Sequence, residues 1–136
     1  MAVFNKFDCF VENVAEKVHN LGSDQLTLAL TNSAPSAANT VLANITEITY
    51  TNLSTRNLTT SASSQTGGLY KLVVADTTLT STGGITGPFR YVVAYNSTAA
   101  GGPVIGWYDY GTSITLNSGE SLTVDFDQTN GLLTIQ

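Results

Sequence analysis

Residues 87–111, GPFRYVVAYNSTAAGGPVIGWYDYG, hold the only Trp of the chain, four of its six Tyr and the pair Gly101-Gly102. The stretch reads as two strands and a loop. Phe89 to Tyr95 (FRYVVAY) is rich in aromatic and β-branched residues, which fit a pleated, packed surface. Asn96 to Gly102 is small and polar, with the composition of a turn. Pro103 to Tyr110 (PVIGWYDY) is the return strand, its proline placed at the start, where no ladder donor is lost. A joint of about seven residues favours antiparallel pairing, because a parallel pair needs a crossover of a dozen or more. This hairpin is expected at the centre of the fold. Packing is the first role for its aromatics, and a ligand platform built on Trp107, Tyr108 and Tyr110 is the second. Parity places Tyr91, Val93 and Tyr95 on one face, and Ile105 and Trp107 with Asp109. Trp107 is therefore expected to be buried, with Asp109 and the loop Asn96 to Gly102 at the surface.

The pattern outside the hairpin extends the β reading. Leu26, Leu28 and Leu30 alternate with small or polar residues over LTLALT, a half-buried strand. Ile45 to Tyr50 is a Thr-rich strand candidate whose broken alternation suggests a bulge. Residues 52–68 are poor in apolar side chains and read as a weak edge strand near Arg56 to Thr60 and a loop. Leu69 to Ala75, Thr78 to Thr80, Ser113 to Leu116, Ser121 to Phe126 and Leu132 to Gln136 complete the set. The last two are joined through Asn130-Gly131, a strong short-hairpin signal. About nine short antiparallel strands with turns between them predict an all-β fold, a β-sandwich or jelly-roll-like architecture.

Only the N-terminus departs from this pattern. Phe4, Phe7, Val11, Val14, Val18 and Leu21 recur at spacings of three and four, one face of a helix. Asn5 is placed to cap the start and Gly22 to end it. The expectation is one domain over 1–136, with an amphipathic helix or arm over 5–20 and a β-domain over 25–136. The arm packs on its own domain or docks on a neighbouring subunit.

Composition narrows the functional classes. The chain has 136 residues, one Cys and one His. A chain of this size buries roughly two-thirds of its unfolded surface and needs no disulfide. Charged residues make up only 11% and the net charge is −5, with the five basic residues scattered. That argues against nucleic acid, whose binding needs clustered Lys and Arg. No run approaches the roughly 20 apolar residues of a membrane span. The N-terminus lacks a basic start with a long apolar run behind it, so assembly in the cytoplasm is expected.

Sites for chemistry are hard to find. A Ser–His–Asp or Cys–His site would depend on His19, which has no nucleophile motif near it. One His and one Cys cannot build a zinc cage. Asp125 and Asp127 share a strand face without calcium-loop spacing. Asp109, Glu120 and Asp125 offer carboxylates for glycoside hydrolysis, but nothing selects a pair. No catalytic residue, metal or cofactor is expected.

The segments AVFNKFDCFVENVAEKVHNL, DQLTLALTNSAP, FRYVVAYN, IGWYDYG and SITLNSGESLTVDFDQTNGLLTI together resemble a family of small structural proteins of tailed bacteriophages. The resemblance runs nearly the whole length. It implies a non-enzymatic virion protein, first of all a capsid decoration or cement protein that sits on the outside of the head and stabilises the shell. The alternatives are a tail or head–tail module, or a receptor- or glycan-binding module of the virion. It also implies the major capsid protein or other virion proteins as partners, a homo-oligomer with a trimer favoured, and location in the virion after assembly in the host cytoplasm. Phe4, Phe7, Val11, Asn96 and Asp109 are the residues expected to meet a partner.

Overall fold

The computed structural model describes residues 2–136. Among them are nine strands and one α-helix: β1 (Phe4–Lys6), α1 (Cys9–Ala15), β2 (Leu26–Thr31), β3 (Thr60–Thr66), β4 (Leu69–Val74), β5 (Thr77–Thr80), β6 (Thr86–Asn96), β7 (Val104–Leu116), β8 (Ser121–Val124) and β9 (Leu133–Ile135). All pairings are antiparallel. The all-β expectation holds. The strands form a four-stranded sheet in the order β1-β7-β6-β2, a three-stranded sheet β3-β4-β9 and the pair β5-β8.

The hairpin over residues 87–111 is the centre of the large sheet, with β2 and β1 on its two flanks. Both of its faces are covered. Leu28 and Leu30 of β2 stand opposite Ala94 and Val92 of β6. Together with Tyr108 they look into the main core, across which lie Leu72 and Val74 of β4, Leu79 of β5, Val124 of β8 and Leu133 of β9. Ala29, Val93, Tyr95 and Val104 look the other way, into a smaller core closed by Phe7 and Ile45. Alternation into two apolar layers explains why LTLALT is buried at every position rather than at every second one.

Several local expectations are corrected. The simple parity of the return strand fails because the ladder slips between Ala94 and Tyr95. That bulge sends Ile105 into the main core while Trp107 stays with the smaller one. Trp107 is half-buried, not buried. The strands expected at 103–110 and 113–116 are one strand, β7, bent at a second slip between the pairs Tyr91–Asp109 and Phe89–Ile114. Asn130-Gly131 does not close a hairpin, since β8 pairs with β5 and β9 with β4. The turn instead carries the chain between sheets. Asp127 accepts from the Thr129 and Asn130 amides, and a side chain on Gly131 would sit 2.6 Å from the Leu72 carbonyl oxygen. Residues 60–66, expected as loop, form β3, paired with β4 and largely exposed.

The segment Ile45 to Leu58 is not a regular strand. It runs along the outer edge of β2, where the Leu28 amide donates to the Arg56 carbonyl, Leu58 to Leu26 and Ile48 to Leu30. One ladder position lacks a backbone partner. The Tyr50 hydroxyl fills it, accepting from the Leu30 amide at 2.9 Å and donating to Glu47 Oε1 at 2.7 Å. The Arg56 guanidinium donates to the Leu28 carbonyl and lies 3.6 Å from the centre of the Tyr50 ring. Burial of the phenol, opposed by its bond to the Leu30 backbone, pushes the Tyr50 pKa well above the usual tyrosine range. Tyr50→Phe is expected to lower stability by about 1–2 kcal/mol, because an amide on a buried strand loses its acceptor. Chemical denaturation checks the value, and faster exchange of the Leu30 amide locates the effect.

Candidate functional site

The N-terminal segment, expected as one helix over 5–20, is three pieces. Phe4–Lys6 is strand β1, paired with β7 in the register Phe4–Tyr108, Asn5–Trp107 and Lys6–Gly106. This pairing is possible because residue 106 is glycine: a Cβ there would lie 2.4 Å from the Phe4 ring and 2.6 Å from the Asn5 carbonyl oxygen. The helix proper, α1, spans only Cys9–Ala15, with Asp8 rather than Asn5 at its N-cap position and Glu16 at its C-cap. Lys17, at φ 64°, then turns the chain in the left-handed conformation expected for Gly22. The apolar spacing of three and four was shared between two elements, so it did not mark one helical face.

The expected interface residues fall into different environments. Phe4 is half-buried, its ring centre 5.1 Å from that of Tyr108. Phe7 is buried in the smaller core, 4.5 Å from Trp107. Both anchor the arm to its own domain. Val11 is 65% exposed, and its neighbour Phe10 takes the buried position instead. Asn96, expected at the surface, is fully buried. Asp109 is partly exposed and paired with Arg90 through two bonds, Nε to Oδ1 at 2.7 Å and Nη2 to Oδ2 at 3.0 Å. The Arg90 hydrogen bond, helped by the Gly111 amide, holds the Asp109 carboxyl below its ordinary range. Val11 and Asp109 therefore remain available at the surface, while Phe7 and Asn96 do not.

Asn96 is the centre of a polar knot that no local spacing announces. Its Oδ1 accepts from the Thr98 and Ala99 amides at 3.0 and 3.2 Å. Its Nδ2 donates to Asp24 Oδ2 at 2.6 Å and meets His19 Nδ1 at 3.1 Å. The two backbone donors fix which end of the amide is oxygen. Nδ2 is then the donor, and His19 Nδ1 must accept. The imidazole is neutral with its proton on Nε2. Burial pushes the His19 pKa down, and the Asp24 charge opposes that shift only in part.

Two apolar side chains of the arm stand out among exposed polar ones such as Lys6, Asp8 and Glu12. Val3 is 74% exposed and Val11 65%. Beside Val11 lies a hollow of about 350 Å³ between α1 and β9, lined by Lys6, Phe10, Val14, Ile135 and Gln136 among others. β1 and β9 are the end strands of their sheets, so α1 plugs the side of the molecule where both sheets end.

The other sites raised by the sequence do not assemble. Trp107 lies toward the smaller core while Tyr108 and Tyr110 pack against the main one, so the three aromatics do not share a platform. Glu120 accepts from Asn117, and Asp127 from Asn130 and Thr129, bonds that hold both carboxyls below their ordinary range and tie them to turns. Cys9 lies near three backbone carbonyls, and burial raises its thiol pKa. Among the described residues no group of three His, Cys, Asp or Glu side chains is placed to hold a metal ion. No described helix is long and apolar enough to cross a membrane. Comparison of the chain with protein-family models, with curated proteins and with solved structures returns no match.

Proposed function

We propose that this protein is a non-enzymatic structural module of a tailed-bacteriophage virion, which decorates the outside of the capsid and stabilises the shell. The observation that carries the reading is the arm. Phe7 and Phe10 are 2% and 1% exposed and fix it rigidly, while Val3 and Val11 stand out at 74% and 65% beside two sheet ends. A pre-organised apolar contact of this kind loses little conformational freedom on docking. The low charge of the chain supports the same reading, since few ions must be stripped of water at an interface. A cement protein acts by mass action: it binds the assembled shell better than the loose subunits, and so shifts the balance toward the shell. The partner in this reading is the major capsid protein, and copies of the module gather around its symmetry axes, as a trimer in the first instance.

Copy counting by mass spectrometry on purified particles tests the proposal. The expected result is high copy number, with particles lacking the protein less resistant to heat. A Val11→Asp chain is expected to fold normally, because Val11 is exposed, and to occupy heads poorly. A few copies per particle would move the protein to the tail or the head–tail connection, and none would remove it from the virion.

A further inference from the structure

His19 lies on the segment that joins α1 to β2, and it is 7% exposed. Its one side-chain hydrogen bond reaches Asn96, at the end of β6. Four contacts fix the Asn96 amide. Its Oδ1 accepts from the Thr98 and Ala99 amides, and its Nδ2 meets Asp24 Oδ2 and His19 Nδ1. The amide cannot flip without losing both backbone donors, so it always presents N–H to the imidazole. Nδ1 must therefore keep a lone pair, while Nε2 carries its proton in a buried place with no partner among the described residues. A second proton would go to Nδ1 and point at another donor. The imidazolium has two N–H groups, and the contacts of the neutral ring include no acceptor for either.

We propose that His19 is an acid-sensitive latch: its protonation breaks the contact with Asn96 and frees residues 16–25, the segment that ties α1 to the large sheet. Three titratable or charged groups surround the ring. Asp24 is on the same segment, but its Oδ2 is already taken by the Asn20 amide at 2.8 Å and by Asn96 Nδ2 at 2.6 Å. Lys17, in the turn after α1, repels an imidazolium, and Tyr70, from β4, is a phenol rather than a carboxylate. Burial outweighs the Asp24 charge and keeps the His19 pKa below its ordinary value of 6.5. An opened segment takes up its proton near that ordinary value, and the closed one only at lower pH. The latch is therefore fully shut above pH 6.5 and loosens as the pH falls below it. The same opening loosens the loop after β6, because the Gln25 carbonyl accepts from the Ser97 amide and the Gln25 amide donates to Thr98 Oγ1. The device is independent of capsid decoration, and its test does not require particles.

The chain has a single His, so one set of imidazole signals reports on the latch. Long-range nitrogen–proton NMR on the intact protein is expected to show the Nε2–H tautomer at neutral pH and a titration midpoint below 6.5. Hydrogen exchange, corrected for the intrinsic effect of pH, locates the response. Between about pH 6.5 and 5, above the range of ordinary carboxylates, the amides of Asp24, Thr98 and Ala99 are expected to lose about tenfold in protection, with tenfold per pH unit the limit for one proton. The amides of Leu28 and Val92, inside the large sheet, should keep theirs. His19→Asn places a side-chain oxygen where Nδ1 accepts and does not titrate, so its protection is expected to stay level across the same window. A midpoint at or above 6.5, or an Nδ1–H tautomer, overturns the proposal. So does an equal loss in His19→Asn, or a loss spread evenly over β2 and β6, which would be global unfolding rather than release of a segment. If His19→Asn does not fold, the midpoint and the exchange pattern of the unaltered chain decide the matter.

Discussion

Phe10→Ala is expected to destabilise the protein by about 3–5 kcal/mol, whereas Val11→Ala, one residue along, is expected to change stability by less than about 0.5 kcal/mol. Phe10 is the only buried residue of α1, and it belongs to the main core. Its ring lies 5.6 Å from that of His19, so it also supports the wall of the polar knot. Removing it leaves a void between the helix and both sheets, and a seven-residue helix has little intrinsic stability with which to hold its place. The helical face read from the sequence, with Val11 inward, gives the reverse order of effects. Paired denaturation curves on the two variants decide between them. A Val11→Ala loss as large as that of Phe10→Ala would mean that the helix is rotated from the position described above.

Gly106→Ala is expected to cost about 3 kcal/mol, at the upper end of the range for overpacking. The added methyl would meet Phe4 Cζ at 2.4 Å and the Asn5 carbonyl oxygen at 2.6 Å. The Phe4 ring can turn away, but Asn5 is backbone held in the ladder with β7. The economical response is for β1 to detach, which also exposes Tyr108, whose phenol burial raises to a pKa of about 12. Thermal unfolding gives the size of the effect. Its location is checked by hydrogen exchange, where the amides of residues 4–6 should lose protection while those of β2 and β6 keep theirs. Uniform loss across the large sheet would mean that β1 and the sheet unfold as one unit.

Legibility followed the range of the interactions involved. β2, β4 and the central hairpin were readable because each carries its instruction locally, as β-branched and aromatic residues between turn signals. The arm was misread because a strand and a helix placed side by side reproduced helical spacing, and the deciding contact, Gly106 beneath Phe4, lies a hundred residues away in sequence. Ile105 and Trp107 were assigned to one face because a bulge leaves no local mark. Among the candidate interface residues, Asp109 lies at the surface as expected, whereas Val11, read as part of the apolar face of the arm, is exposed. Asn96 was misplaced, because a polar residue followed by Ser, Thr and Ala reads as the start of a loop. Its partners, His19 and Asp24, are more than 70 positions earlier. The cluster on β2 was equally invisible, since Tyr50 in a Thr-rich stretch reads as strand rather than as a side chain standing in for backbone.

That cluster has a consequence for life in a crowd. A sheet with two open ends is a template on which identical molecules can stack without limit, and a protein displayed at high density would meet its own copies constantly. Here the β2 end is closed by the chain itself, with Tyr50 sealing the position that the backbone leaves vacant. Copies can still meet through the β1 end, but such a meeting uses up both open ends at once. Edge-to-edge association of the large sheet through its own strands therefore stops at pairs, because that sheet has no second open edge from which to grow.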